Sequence, residues 1–176
     1  MPSKSKITSM PDSLKFSDIV EHARLEKWTA QHVLKHAGLP HLPRAGSQGV
    51  HREFSLPQAT RFALATQLVM GGVPVKFTAR VVSFCEKQVM ARMGASLANK
   101  TLYESPNNFW LLEIYDNRFV EVVREKDGNI NENAIYCLRD NKMVDMLPDV
   151  PVPFSTHTIH LSKIERRLIE RLSTTD

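Results

Sequence analysis

Halfway along this 176-residue chain the apolar residues change their spacing, and the change decides what the chain can fold into. Between Phe16 and Met93 they recur every three or four positions, the period of a helix. From Phe109 onward they run in short blocks around turn residues, the habit of strands. A pure helical bundle and a pure β-sandwich are both excluded. The reading is an α+β protein: a helical region over 14–98, then an antiparallel β-sheet region with a terminal helix over 99–176. Residues 1–13 are polar and aperiodic and read as a disordered arm.

The helical region divides at its caps. FSDIVEHARL places Ile19, Val20 and Ala23 on one face, with Ser17 as the expected N-cap and Asp18 and Glu21 in the first turn, where the helix dipole favours them. A second short helix is expected from Thr29, another N-cap candidate, to Gly38, which suits a left-handed C-terminal cap. The stretch LPHLPRAGSQGVHREF, with its prolines and glycines, is too broken for a helix and reads as a wing-like loop, within which Val50 to Phe54 can pair as a short strand. Ser55 caps a third helix ending at Met70-Gly71-Gly72, and Pro74 starts a fourth. Phe77, Val81, Cys85, Val89 and Met93 form its apolar stripe, which is expected to serve packing or dimerisation.

In the second half, IYDNRFVEVV and LRDNKMVDML match each other, with Asp116 and Asp140 aligned. They read as a duplicated hairpin with an Asp-Asn two-residue tip in each copy, because Asx residues tolerate left-handed backbone. Two hairpins give four antiparallel strands, and THTIHL adds a fifth. Ser162 to Glu165 reads as a capping box before an amphipathic last helix that also offers a face for dimerisation.

Charge is unevenly placed. Residues 1–82 carry 11 Lys and Arg against 5 Asp and Glu, whereas residues 83–176 carry 12 against 14. A localised positive excess attracts the phosphate row of a duplex and gains from counterion release. Cys85 and Cys137, each in apolar surroundings, read as buried thiols and not as metal ligands. His32 and His36 lie at i and i+4 but have no third ligand or HExxH pattern, and His157 and His160 have no cysteine partner, so no metal site is expected. GxSxG, GxxxxGK and GxGxxG are all missing, which leaves an enzyme reading without residues and implies no cofactor. The acidic residues Asp116, Glu121, Asp140 and Asp145 read as solvent-facing. No apolar run reaches the roughly 20 residues of a membrane span, so the expected location is the cytoplasm.

These elements, in this order, resemble the DNA-binding module of the MerR (mercury-resistance regulator) family over roughly residues 14–85. The helix pair FSDIVEHARLEKWTAQHVLKHAGL is similar to the family's first two helices, with Trp28, Thr29 and Val33 in its apolar, capping and core places. GVHREFS, carrying Gly49, Val50, Arg52, Phe54 and Ser55, is similar to the family wing, and LPQATRFALATQLVMGGVPVKFTARVV to its third and fourth helices. Lys27 stands where the family usually has Gly, and the long coiled-coil helix that follows in the family is cut short near Gly94 to Asn99.

The resemblance implies a winged helix-turn-helix transcription regulator that binds double-stranded DNA as a homodimer, with an effector or RNA polymerase as further partners. It implies DNA contacts from Thr29, Ala30, Gln31, His32 and Lys35 on the second helix and from Arg44, His51 and Arg52 in the wing. Lys27 and Lys15 are additional phosphate candidates. The alternative is an excisionase-like architectural accessory factor, which uses a similar module without ligand sensing.

Overall fold

A computed structural model describes residues 13–43, 52–93, 109–116, 118–126, 129–138, 140, 142–144 and 155–174. The elements are β1 (Leu14–Lys15), α1 (Phe16–His22), α2 (Lys27–His36), β2 (Glu53–Phe54), α3 (Leu56–Met70) and α4 (Val75–Met93), followed by β3 (Phe109–Tyr115), β4 (Phe119–Lys126), β5 (Asn129–Cys137), β6 (Lys142–Val144), β7 (Thr156–His160) and α5 (Leu161–Ser173). The architecture is α+β, with five helices and two antiparallel sheets among the described residues. The expected arm, residues 44–51 of the wing-like loop and the connection after Met93 lie outside them.

The starts of α1 and α2 both differ from expectation. Leu14 and Lys15 pair with Phe54 and Glu53, so the chain is already extended at Lys15 and turns helical at Phe16. Lys15, not Ser17, is therefore the N-cap, and its N–H donates to the Asp18 carboxylate at 3.0 Å. Likewise α2 is capped by Glu26 and not by Thr29, whose hydroxyl donates back to the Glu26 carboxylate. The other ends follow their residues. Gly38, at φ +63°, ends α2, and Ser55 caps α3, its N–H donating to Gln58 Oε1 at 2.9 Å. Gly71 and Gly72 stop α3, the latter at φ +91°.

The core begins under α1. Phe62 lies 5.6 Å from Phe54 and 5.8 Å from Phe16, ring centre to ring centre, pairs worth about 0.5–1.5 kcal/mol each beyond their burial. Ala30, Val33 and Ala37 form the buried row of α2, small side chains that let α3 come close. On α4, Val81, Cys85 and Val89 are wholly buried, and Phe84 meets Tyr136 of β5 at 5.1 Å. Three of the five residues of the expected stripe are thus packed inside the chain, with Phe77 partly buried beside them.

The larger sheet has the order β6-β5-β4-β3-β7, antiparallel throughout, so the duplicated hairpin and the fifth strand are both present. Both tips are longer than the expected two residues. Cys137 pairs with Lys142, which leaves four between them, and Tyr115 pairs with Phe119, which leaves three in the first turn, with Asp116 at φ +48°. Its carboxylate explains the choice of turn, because Oδ1 accepts from the Ser155 N–H at 2.8 Å and hydroxyl at 3.1 Å, tying the tip to the start of β7. One face of the sheet presents Trp110, Leu112, Ile114, Val120 and Val122 to a cluster of buried side chains that runs from Leu14 to Leu168 and includes Phe62 and Val81.

The last helix closes that cluster. It starts at Leu161, so Ser162 lies inside it instead of capping it, and the Ser162 hydroxyl accepts the backbone N–H of Trp110 at 2.9 Å. Its inner residues Ile164 and Leu168 pack towards α3 and α1, which occupies the other face expected to dimerise. At its far end Arg171 reaches Asp18 at 3.3 Å.

Buried ionisable groups give the fold a pH dependence. Burial, then the Glu86 charge, raises the Cys85 thiol far above its ordinary range. The Tyr115 phenol is also raised, first by burial and then by hydrogen bonding to Glu113 and Glu121. Both groups hold their protons more tightly folded than unfolded. Stability is therefore fully present below about pH 9 and falls as the pH rises further, by at most about 1.4 kcal/mol per pH unit for Cys85. Tyr115 adds a smaller, solvent-screened contribution above about pH 10. Urea midpoints measured from neutral pH upward should decline, and Cys85→Ala should flatten the early part of the decline; a level wild-type profile would contradict this.

Candidate nucleic-acid interface

The face of α2 opposite its buried row is almost wholly polar. Lys27, Gln31 and Lys35 follow one another at i+4 spacing, and beside them run Trp28, His32 and His36. All six are exposed, Trp28 to 74% of its surface. The His32 and His36 rings lie 4.7 Å apart. No group of three potential metal ligands occurs among the described residues.

Two expectations change here. Ala30 is fully buried and cannot reach a ligand, because it lies at i, i+3 and i+7 spacing in one row with the buried Val33 and Ala37. Trp28, matched above to an apolar place in the helix pair, is outside the core altogether, where an indole has a flat apolar face to offer. Thr29 is half-exposed, but its hydroxyl is engaged by Glu26.

Folding also joins residues that are distant in sequence. The β1–β2 pairing brings Arg52 alongside the start of α1, and the turn after α1 returns the start of α2 to the same place. A recess of about 370 Å³ results, floored by Phe16 and Val20 and rimmed by Lys15, Lys27 and Arg52, with Glu21 as the facing carboxylate. Three cations from three segments thus surround one apolar hollow, and Lys27 belongs both to this rim and to the exposed face of α2. Arg52 is half-buried, which restricts its guanidinium more than the exposed lysines beside it. Arg44 and His51 lie outside the described residues.

Two acidic residues of the sheet are less exposed than expected, Asp116 being half-buried. Glu121 is buried and sits directly across from Glu113, and the Tyr115 hydroxyl lies between them, 2.7 Å from Glu121. Asp140 is exposed, and Asp145 lies outside the described residues. Cys85 and Cys137 are buried free thiols. No described helix is long and apolar enough to cross a membrane.

Compared with known protein families, curated proteins and solved structures, the chain matches none.

Proposed function

We propose that the chain is a sequence-specific DNA-binding regulator that places α2 in the major groove and clamps the flanking phosphates with Lys15, Lys27 and Arg52. The observation that carries this reading is the junction at Lys27, where the polar face of α2 meets the cationic rim. Gln31 and Lys35 are the base-reading side chains, since an amide can pair with adenine and an ammonium with guanine. Trp28 and His32 flank them and meet sugar and phosphate. Arg52 acts as the wing's phosphate ligand, in keeping with the MerR-like pattern of GVHREFS. A single short helix reads few base pairs, so a homodimer on a two-fold site is part of the proposal.

Selection of bound sequences from random duplex DNA tests the reading and reports site symmetry at once. A recovered inverted repeat is expected, and a pool that never departs from random would remove sequence specificity from the account. On the selected site Gln31→Ala should cost about 1–3 kcal/mol while leaving random-DNA binding unchanged. An equal loss on both duplexes would move Gln31 from reading bases to holding phosphate.

A further inference from the structure

A second basic site lies on α5, away from α2. Lys163, Arg166, Arg167 and Glu170 stand at i, i+3, i+4 and i+7, so they form one stripe along the helix. The stripe faces a cavity of about 300 Å³ whose inner wall includes Trp110 of β3 and whose mouth includes His160. A smaller cavity of about 170 Å³, against Ala23 and Gln67, lies on the other side of the same His160, Lys163 and Arg167. These three side chains therefore stand between two hollows. Three basic side chains meet one carboxylate, and neither Lys163 nor Arg167 forms an ion pair among the described residues.

The shape and the charge select a ligand. A duplex needs a broad convex or flat basic surface, whereas this site is a concavity at the small end of the range for small-molecule pockets, roughly 300–1,000 Å³. Guanidinium forks bind two oxygens of one anion side by side, and an ammonium adds a point charge. A phosphate group has enough oxygens and charge to satisfy both, and a single carboxylate does not. We infer that the cavity between α5 and β3 binds a small phosphorylated molecule, a phosphomonoester or diphosphate, through Lys163 and Arg167. The site shares no residue with the Lys15, Lys27 and Arg52 recess, so the inference stands independently of DNA binding.

Calorimetric titration of the full chain with pyrophosphate and with glycerol 2-phosphate tests it. Trp28→Phe leaves Trp110 as the one tryptophan, and its emission supplies a second readout at the cavity wall. Saturable binding at one site per chain is expected, weakened at least about tenfold by either Lys163→Gln or Arg167→Gln. Lys76→Gln, on α4, should leave it unchanged, and equal melting temperatures would show that the variants fold. The proposal is overturned by lack of saturation for both probes up to about 10 mM, by equal losses in Lys76→Gln, or by α5 variants that lose duplex DNA affinity while pyrophosphate never saturates. That last outcome would make the stripe a DNA contact.

Discussion

Trp110→Ala is expected to weaken the whole chain, helices included, by about 3–5 kcal/mol, which is much of the roughly 5–15 kcal/mol that holds an ordinary domain folded. Trp110 is fully buried on the inner face of β3, in the same cluster as Phe62 of α3 and Leu168 of α5. Truncation removes the largest side chain of that cluster and leaves a cavity that neighbours held on two different elements cannot both move to fill. Its backbone N–H bond to Ser162 remains, but the helix carrying Ser162 loses the surface it rests on. Because the cluster extends from Leu14 to Leu168 without a break, the loss should reach α1 and α3 as much as the sheet. Urea unfolding followed by helical circular dichroism should show one transition at a lower midpoint, with amide protection in α3 falling together with that of β3 and β4. Protection retained in α3 while the sheet exchanges freely would show that the halves fold separately.

The second large effect concerns the cationic rim. Replacing Lys15, Lys27 and Arg52 together by alanine should lower duplex affinity on the order of a hundredfold at low salt and make the salt dependence shallower by about three, one unit for each phosphate contact removed. The three side chains come from β1, α2 and the residue before β2, so no single local distortion can imitate the result. Their substitution should leave stability nearly unchanged, since the lysines are exposed and Arg52 is half-exposed. Gel-shift titration on selected and random duplexes measures both quantities. An unchanged salt slope would place the phosphate contacts elsewhere.

What the sequence discloses about this fold is mostly local. Gly38, Ser55 and Gly72 mark helix ends because the backbone conformation or bond they supply is needed within a few residues, and the structure uses each one as expected. The repeat around Asp116 and Asp140 likewise shows two hairpins, since each strand pairs with its neighbour in the chain. Non-local pairing is what remains hidden. Two residues suffice for β1, and only Phe54 and Glu53, far along the chain, make them a strand and move the cap of α1 to Lys15. Ser162 looks like a cap until Trp110 is seen to donate to it. Asp18, which resembles an ordinary first-turn acid, meets Arg171 across 153 positions of sequence.

The candidate site divides in the same way. The exposed row of Lys27, Gln31 and Lys35 follows from helical spacing alone, and so does the polar run of His32 and His36. The inward turn of Ala30 is legible from the same spacing once Val33 and Ala37 are known to be core. The hollow floored by Phe16 and Val20 is not legible, because it exists only after β1 and β2 have paired. The paired Glu113 and Glu121 under Tyr115 were equally hidden, as cross-strand register is fixed by the turn and by the whole sheet.

The central claim is that this chain binds DNA through phosphate contacts around α2, and equilibrium binding of the unmodified protein to a random duplex at several salt concentrations tests it most directly. Saturable binding is predicted at about 50 mM salt, with log affinity falling linearly against log salt at a slope of about −3 or steeper, as at least three released counterions require. Micromolar protein that leaves the duplex unbound at that salt, or binds it with a slope near zero, would contradict the account.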